Sequence, residues 1–236
     1  MNIIITGASR GIGTELTKLF AHQSGHTIFL ISRNASRLES IVDECRILQP
    51  YSRIIAMPFD LEIIDEISSL YQIIQKEVDS IDILINNAGL LINKPFEELT
   101  PTDNKRMYNV NILAPMELVR SVMPLMLNSK NAHVVNISSM GGFQGSVKFS
   151  GLSSYASSKA AIAVLTECLA EEYKESVVRF NCLALGAVAT EMLQEAFPGY
   201  EANTSAVEMA TYIHDFAING HKMFNGKILP VSSTTP

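Results

Sequence analysis

"NIIITGASRGIG", residues 2–13, runs from three consecutive isoleucines and a threonine into a turn with glycines at 7, 11 and 13. β-Branched residues favour extended backbone, and an apolar run without alternation suits a strand buried on both faces. Leu16, Leu19 and Phe20 follow at i, i+3 and i+4, which marks one face of a helix. Strand, glycine turn and helix in immediate succession predict a parallel sheet with crossover helices. The alternation continues along the chain. "TIFLIS", "RIIAM", "DILIN", "HVVNIS", "VVRFNCLA" and "GKILPV" read as buried strands, and residues 35–48, 61–78, 102–128, 154–174 and 205–219 carry helical spacing between them. Pro115 and Pro124 fall inside 102–128 and are expected to kink or divide that helix. Mostly apolar strands separated by helices predict an α/β, doubly wound parallel sheet of about seven strands with helices on both faces. With no linker, repeat or low-complexity tract, residues 1–236 are expected to form a single domain.

The totals fit that reading. A chain of 236 residues, 47% hydrophobic and 18% charged, can bury a sizeable core. Net charge is −6 and the pI about 5.4, with no basic run. Counterion-displacing contact with nucleic acid needs clustered Lys and Arg, so no nucleic-acid partner is expected. Cys45, Cys168 and Cys182 are far apart and form no CxxC. They read as reduced thiols in a cytoplasmic protein. His22, His26, His133, His214 and His221 form no HExxH motif, so no metal is expected. No stretch approaches the ~18 continuous apolar residues of a membrane span. "MNIIITGAS" lacks a basic leader, so a fold starting at residue 2 and no membrane association are expected.

A glycine turn that opens a helix can meet a ligand's phosphates, because residues without side chains let the backbone approach. A tightly packed strand-to-helix turn is the other reading of the same glycines. The first βα turn of such a sheet is where dinucleotides bind, which favours the ligand. On that reading Gly7, Ser9, Arg10, Gly11, Ile12 and Gly13 form the phosphate cradle. The second strand ends "FLISRN", with Ser32 and Arg33 where a chain preferring NAD carries an acid. Arg33 and Arg10 suit a 2′-phosphate, since guanidinium pairs with phosphate, so NADP(H) is expected in preference to NAD(H). In "MPFDLE", Asp60 is placed to accept from an adenine amino group, with Leu61 beside it, though a helix N-cap explains Asp60 as well. In "INNAG", Ala88 and Gly89 let backbone pass close to a flat ligand, while Asn86 and Asn87 supply hydrogen bonds.

"YASSK" (155–159) puts Tyr155 and Lys159 one helical turn apart. Together with "TGASRGIG", "NNAG", "NVN" around Asn111 and "NISS" at 136–139, it resembles the short-chain dehydrogenase/reductase family over nearly the whole chain. The resemblance implies a Rossmann-type fold and NAD(P)-dependent oxidoreduction of a small-molecule carbonyl or alcohol. Alkoxide formation needs a proton, a free tyrosine has a pKa near ~10, and a nearby ammonium favours the phenolate. Lys159 is therefore expected beside Tyr155 and the nicotinamide ribose, with Ala156, Ser157 and Ser158 keeping the helix slim. By resemblance Ser139 polarises the carbonyl, with Ser138 the alternative because strand residues alternate faces. By resemblance Asn111 holds a water against the lysine; a buried structural Asn is the other reading. Thr190 is available for the carboxamide. A cofactor-sensing scaffold without turnover, and an epimerase or dehydratase on the same fold, are the rival functions.

Two departures from the family pattern stand out. The 139–153 loop is long, and Leu185 precedes Gly186 where the family commonly has Pro-Gly. Loss of that proline is expected to loosen the turn. Leu91, Met140, Phe143, Phe149, Met192, Leu193 and Phe197 are expected to line an apolar substrate pocket. The resemblance further suggests a homodimer or homotetramer joined through residues 102–128 and 154–174.

Overall fold

The computed structural model describes residues 1–48 and 51–232. Its elements are β1 (Asn2–Thr6), α1 (Gly11–Ala21), β2 (Thr27–Ser32), α2 (Ala35–Leu48), β3 (Arg53–Pro58), α3 (Ser68–Glu77), β4 (Ile83–Asn86), α4 (Pro101–Tyr108), α5 (Ala114–Leu127), β5 (Ala132–Ser139), α6 (Ser153–Glu172), β6 (Val178–Leu185), α7 (Glu191–Ala196), α8 (Ala206–Asn219) and β7 (Lys227–Val231). Among the described residues these seven strands form one parallel sheet in the order β3-β2-β1-β4-β5-β6-β7, and two two-residue strands, Val188–Ala189 and Thr204–Ser205, pair separately. The order reverses between β1 and β4, and a crevice opens there at the carboxyl ends of the strands.

Strand side chains alternate between two cores, as a two-residue repeat requires. Ile3, Ile5, Ile28, Leu30 and Ile85 pack with α1, α2 and α8 on one face. Ile4, Phe29, Ile31 and Leu84 pack with α3, α5 and α6 on the other. The triple isoleucine of β1 is fully buried because both its neighbours and both its faces are covered. Capping boxes, Thr100 with Asp103 and Ser205 with Glu208, start α4 and α8.

Two helix expectations are corrected. Residues 61–78 do not form one helix: a 3₁₀ turn at Ile64–Glu66 precedes α3. Pro115 and Pro124 do not divide 102–128. A π-helical turn, Asn109–Leu113, joins α4 to α5, and the Ala114 N–H donates to the Asn109 carbonyl five residues back. Pro115, which has no N–H to offer, falls just after that widened turn. Pro124 sits inside α5 without ending it. The combined run Pro101–Leu127 is long and apolar enough to cross a membrane by length and composition, as core helices can be, and 56% of its most apolar window is buried within the protein.

Candidate active site

The carboxyl ends of β1 to β6 frame a cleft of about 830 Å³, a size that suits a cofactor site. At its floor the glycine turn is shaped by contacts that exclude a side chain. A Cβ on Gly13 would lie 2.2 Å from the Gly7 carbonyl oxygen, and Gly7 and Gly11 have φ of 68° and 54°. Asn87 Nδ2 donates to the Thr6 carbonyl at 3.0 Å, and the Ala88 N–H donates to Thr6 Oγ1 at 3.0 Å, so the "NNAG" segment is tied to the turn. Asn86 points elsewhere, into a buried chain in which its amide donates to Asn136 and Asn136 donates to Thr166. Ser9 shares a 2.6 Å hydrogen bond with Ser32. Arg10, the N-cap of α1, gives no side-chain cap. The first amides of that helix therefore remain available for an anion.

These features fit a dinucleotide. Gly7, Ser9, Arg10, Gly11 and Ile12 line the cleft at its phosphate end, with Arg33, Asp60 and Leu61 beyond them and Asn87, Ala88 and Gly89 along its middle. Gly13 lies beneath, as packing for the turn. Asp60 Oδ1 accepts from the Glu62 N–H at 3.0 Å, so it also holds its own turn, which is the N-cap-like alternative seen in the sequence. Thr190 Oγ1 accepts from Leu193 N at 3.3 Å and caps α7.

At the far end, α6 presents Tyr155 and Lys159 on one face. Lys159 is 4% exposed, its ammonium donates to the Ile137 carbonyl at 2.8 Å, and it lies 6.0 Å from the Tyr155 ring centroid. Burial lowers the Lys159 pKa to about 8. Burial pushes the Tyr155 phenol up to about 12, and the neighbouring Ser139 pulls the other way. Tyr155 keeps part of its surface open to the cleft. Both Ser138 and Ser139 line the cleft; Ser138 Oγ donates to the Lys159 carbonyl at 2.6 Å and is buried, whereas Ser139 Oγ accepts from the Gly141 N–H at 3.2 Å. The Ser138 hydroxyl is thus engaged by backbone of α6, and the two serines differ in their hydrogen bonds.

Asn111 lies in the π-helical turn, 1% exposed. Its amide donates to the Leu90 carbonyl and Ser158 Oγ, both at 2.9 Å, and its Oδ1 accepts from the Leu90 N–H at 2.8 Å. A Cβ on Gly89 would lie 3.5 Å from Lys159 Nζ and 3.6 Å from Asn111 Oδ1, so the two polar groups flank the same backbone.

Leu185 does not loosen its turn. It pairs with Ser139 on one side and Val231 on the other, and the Gly186 N–H donates to the Val231 carbonyl at 2.9 Å. Leucine keeps a backbone donor that proline lacks, which lets the ladder run to the edge of the cleft. Leu91, Met140, Phe149, Met192, Leu193 and Phe197 line the cleft as expected; Phe143 does not.

Sequence reasoning passed over Arg37, Glu191 and Glu195. Arg37 sits in the first turn of α2, where its N–H donates to Asn34 Oδ1. Its guanidinium meets Glu191 at 2.9 Å, and Arg10 meets Glu195 at 2.5 Å. Only the i, i+4 spacing of the two glutamates hinted at a shared face.

Comparison with known proteins agrees with this geometry. The family model described as short chain dehydrogenase matches residues 1–201. Ketoacyl reductase HetN of Nostoc sp. is 33% identical over 187 residues, covering 79% of this chain and 63% of that protein. A fatty acyl-CoA reductase of Mycobacterium tuberculosis is 32% identical over 209 residues, covering 86% of this chain and 69% of that protein. The chain thus spans about two thirds of the length of these relatives. A short chain dehydrogenase of Shigella flexneri complexed with NADP superposes with a TM-score of 0.87 at 26% identity, covering 97% of this chain and 95% of that one. One of Escherichia coli complexed with NADPH gives 0.87 at 27% identity, with the same coverage. The chain belongs to the short-chain dehydrogenase family.

Proposed function

We propose that this chain is an NADPH-dependent carbonyl reductase, one domain over residues 1–236, in which Asn111, Ser139, Tyr155 and Lys159 serve the chemistry. The observation that carries the reading is the convergence of Ser139, Tyr155 and Lys159 on one cleft, with the Lys159 ammonium 6.0 Å from the Tyr155 ring centroid. A reduced nicotinamide bound in the cleft supplies a hydride to a carbonyl carbon. Tyr155 gives its phenolic proton to the oxygen as that oxygen gains charge, and Ser139 donates a hydrogen bond to the same oxygen. Lys159 makes the phenolate less costly by its positive charge, and the nearby Asn111 amide fixes the backbone around it. The buried Asn111 hydrogen bonds support a positioning role as well as a link in a proton path.

Arg10, Arg33 and Arg37 around the phosphate end support preference for the 2′-phosphorylated cofactor. The apolar lining of the substrate end supports an uncharged, mostly apolar carbonyl, in keeping with the acyl substrates in the names of the two relatives. Tyr108, Leu113, Met116 and Val164 stand exposed on α4, α6 and the π-helical turn and α5 between, which supports a homodimer or homotetramer through those helices. Three free thiols, two of them buried, support a reducing, cytoplasmic setting.

The test is NADPH oxidation against a panel of apolar ketones and aldehydes. Tyr155→Phe is expected to lower turnover by about 10²–10⁴ while cofactor binding is retained. Turnover that survives this substitution would remove Tyr155 from the chemistry.

A further inference from the structure

Two arginines from opposite walls of the phosphate end converge on one short helix. Arg10 leaves the glycine turn and grips Glu195 with both terminal nitrogens, at 2.5 and 3.2 Å, with Glu191 at 3.6 Å. Arg37 leaves α2 and reaches both oxygens of Glu191, at 2.9 and 3.2 Å. Both glutamates sit one turn apart on α7, which is capped by Thr190 and crosses the cleft close to Gly11. The Thr190 methyl lies 3.2 Å from the position a Gly11 Cβ would take. The contacts hold Arg10 more strongly protonated and Glu191 more strongly ionised than either would be alone.

We propose that Glu191 and Glu195 are cofactor-selecting residues, whose carboxylates hold on Arg10 and Arg37 the place that a cofactor's 2′-phosphate takes. The inference rests on the NADP(H) reading above. A guanidinium fork offers the same paired N–H donors to carboxylate and to phosphate, so full engagement by one displaces the other. A dinucleotide without a 2′-phosphate has nothing to offer those donors and leaves the α7 contacts in place. Partly exposed ion pairs are individually weak and screened by salt, which suits a contact meant to be exchanged. Glu62 is arranged differently. Arg106 binds it at 2.9 Å through two nitrogens while Arg33 approaches only to 3.4 Å, so Arg33 is already the freer of the three arginines.

The experiment is calorimetric titration of the full chain with adenosine 2′,5′-bisphosphate and with 5′-AMP. It compares wild type, the double variant Glu191→Gln/Glu195→Gln, and Glu201→Gln as a carboxylate of the same segment that meets neither arginine. The double variant is expected to bind the 2′-phosphorylated ligand roughly three- to tenfold more tightly, with 5′-AMP unchanged and Glu201→Gln without effect. An unchanged affinity, an equal gain for both ligands, or an equal gain in Glu201→Gln overturns the proposal. The wild-type ratio between the two ligands reports separately on cofactor preference. If only the double variant favours the 2′-phosphate, the NADP(H) reading falls and the role of the glutamates stands. If neither protein favours it and the double variant shows no selective gain, both fall.

Discussion

Lys159 keeps an ammonium in a site where 4% of the residue is exposed, and its pKa drops from 10.5 to about 8. Below about pH 8 the folded and unfolded chains both hold the proton, and the full cost of burying the charge is present, on the order of 3 kcal/mol. From about 8 to 10.5 the unfolded chain binds more protons than the folded one, so stability rises with pH. Lys159→Met removes that titration. Its stability relative to wild type is therefore expected to be most favourable at pH 7 and to decline toward pH 10, as read by urea denaturation at both pH values. A difference that does not move with pH removes the buried charge from the account. Tyr155 acts in the opposite sense only above about pH 10, where the unfolded chain ionises first. At this scale the sequence was most readable where chemistry needs local spacing, as with Tyr155 and Lys159. It was least readable where partners meet only in space: Arg10 and Glu195 are 185 positions apart, and nothing local marks them as a pair. Ser138 and Ser139 differ only once α6 is in place, because the Lys159 carbonyl that engages Ser138 lies 21 positions away.

Pro124 lies on the exposed side of α5, within a helix that continues past it. A proline there removes one backbone hydrogen bond and crowds the preceding turn, yet the buried face of α5 outweighs that cost. Pro124→Ala is expected to raise the unfolding free energy by about 1–3 kcal/mol, seen as a higher urea midpoint with an unchanged slope. No gain would mean that the neighbouring turns have already absorbed the strain. The strands were legible because runs such as Ile3–Ile5 have no amphipathic alternative. The helix around Pro115 was not, since single-residue rules predict a break where a π-helical turn supplies an escape. Residues 61–78 were misread for a related reason: Ile63 and Ile64 supply apolar spacing in a segment whose first bonds, Ile63 to Asp60 and Glu62 to Asp60, close a turn instead of a helix.

For the molecule as a whole, the cleft draws lining from six strand ends, so a ligand filling it binds only the folded chain. NADPH at a hundredfold excess over its dissociation constant is expected to add about 2.7 kcal/mol to stability, raising the thermal midpoint by roughly 5–10 °C. A melting curve indifferent to NADPH would contradict the dinucleotide assignment.

The sheet order also has a consequence for how the chain is made. β1 lies between β2 and β4, and its Ile3–Ile5 segment pairs with residues about eighty positions later. On a ribosome adding ~5–20 residues per second, that second neighbour emerges roughly 4–16 s after β1 itself. Throughout that interval one edge of a strand with three consecutive isoleucines lacks its ladder partner. The nascent chain thus carries an aggregation-prone strand edge until β4 has been translated.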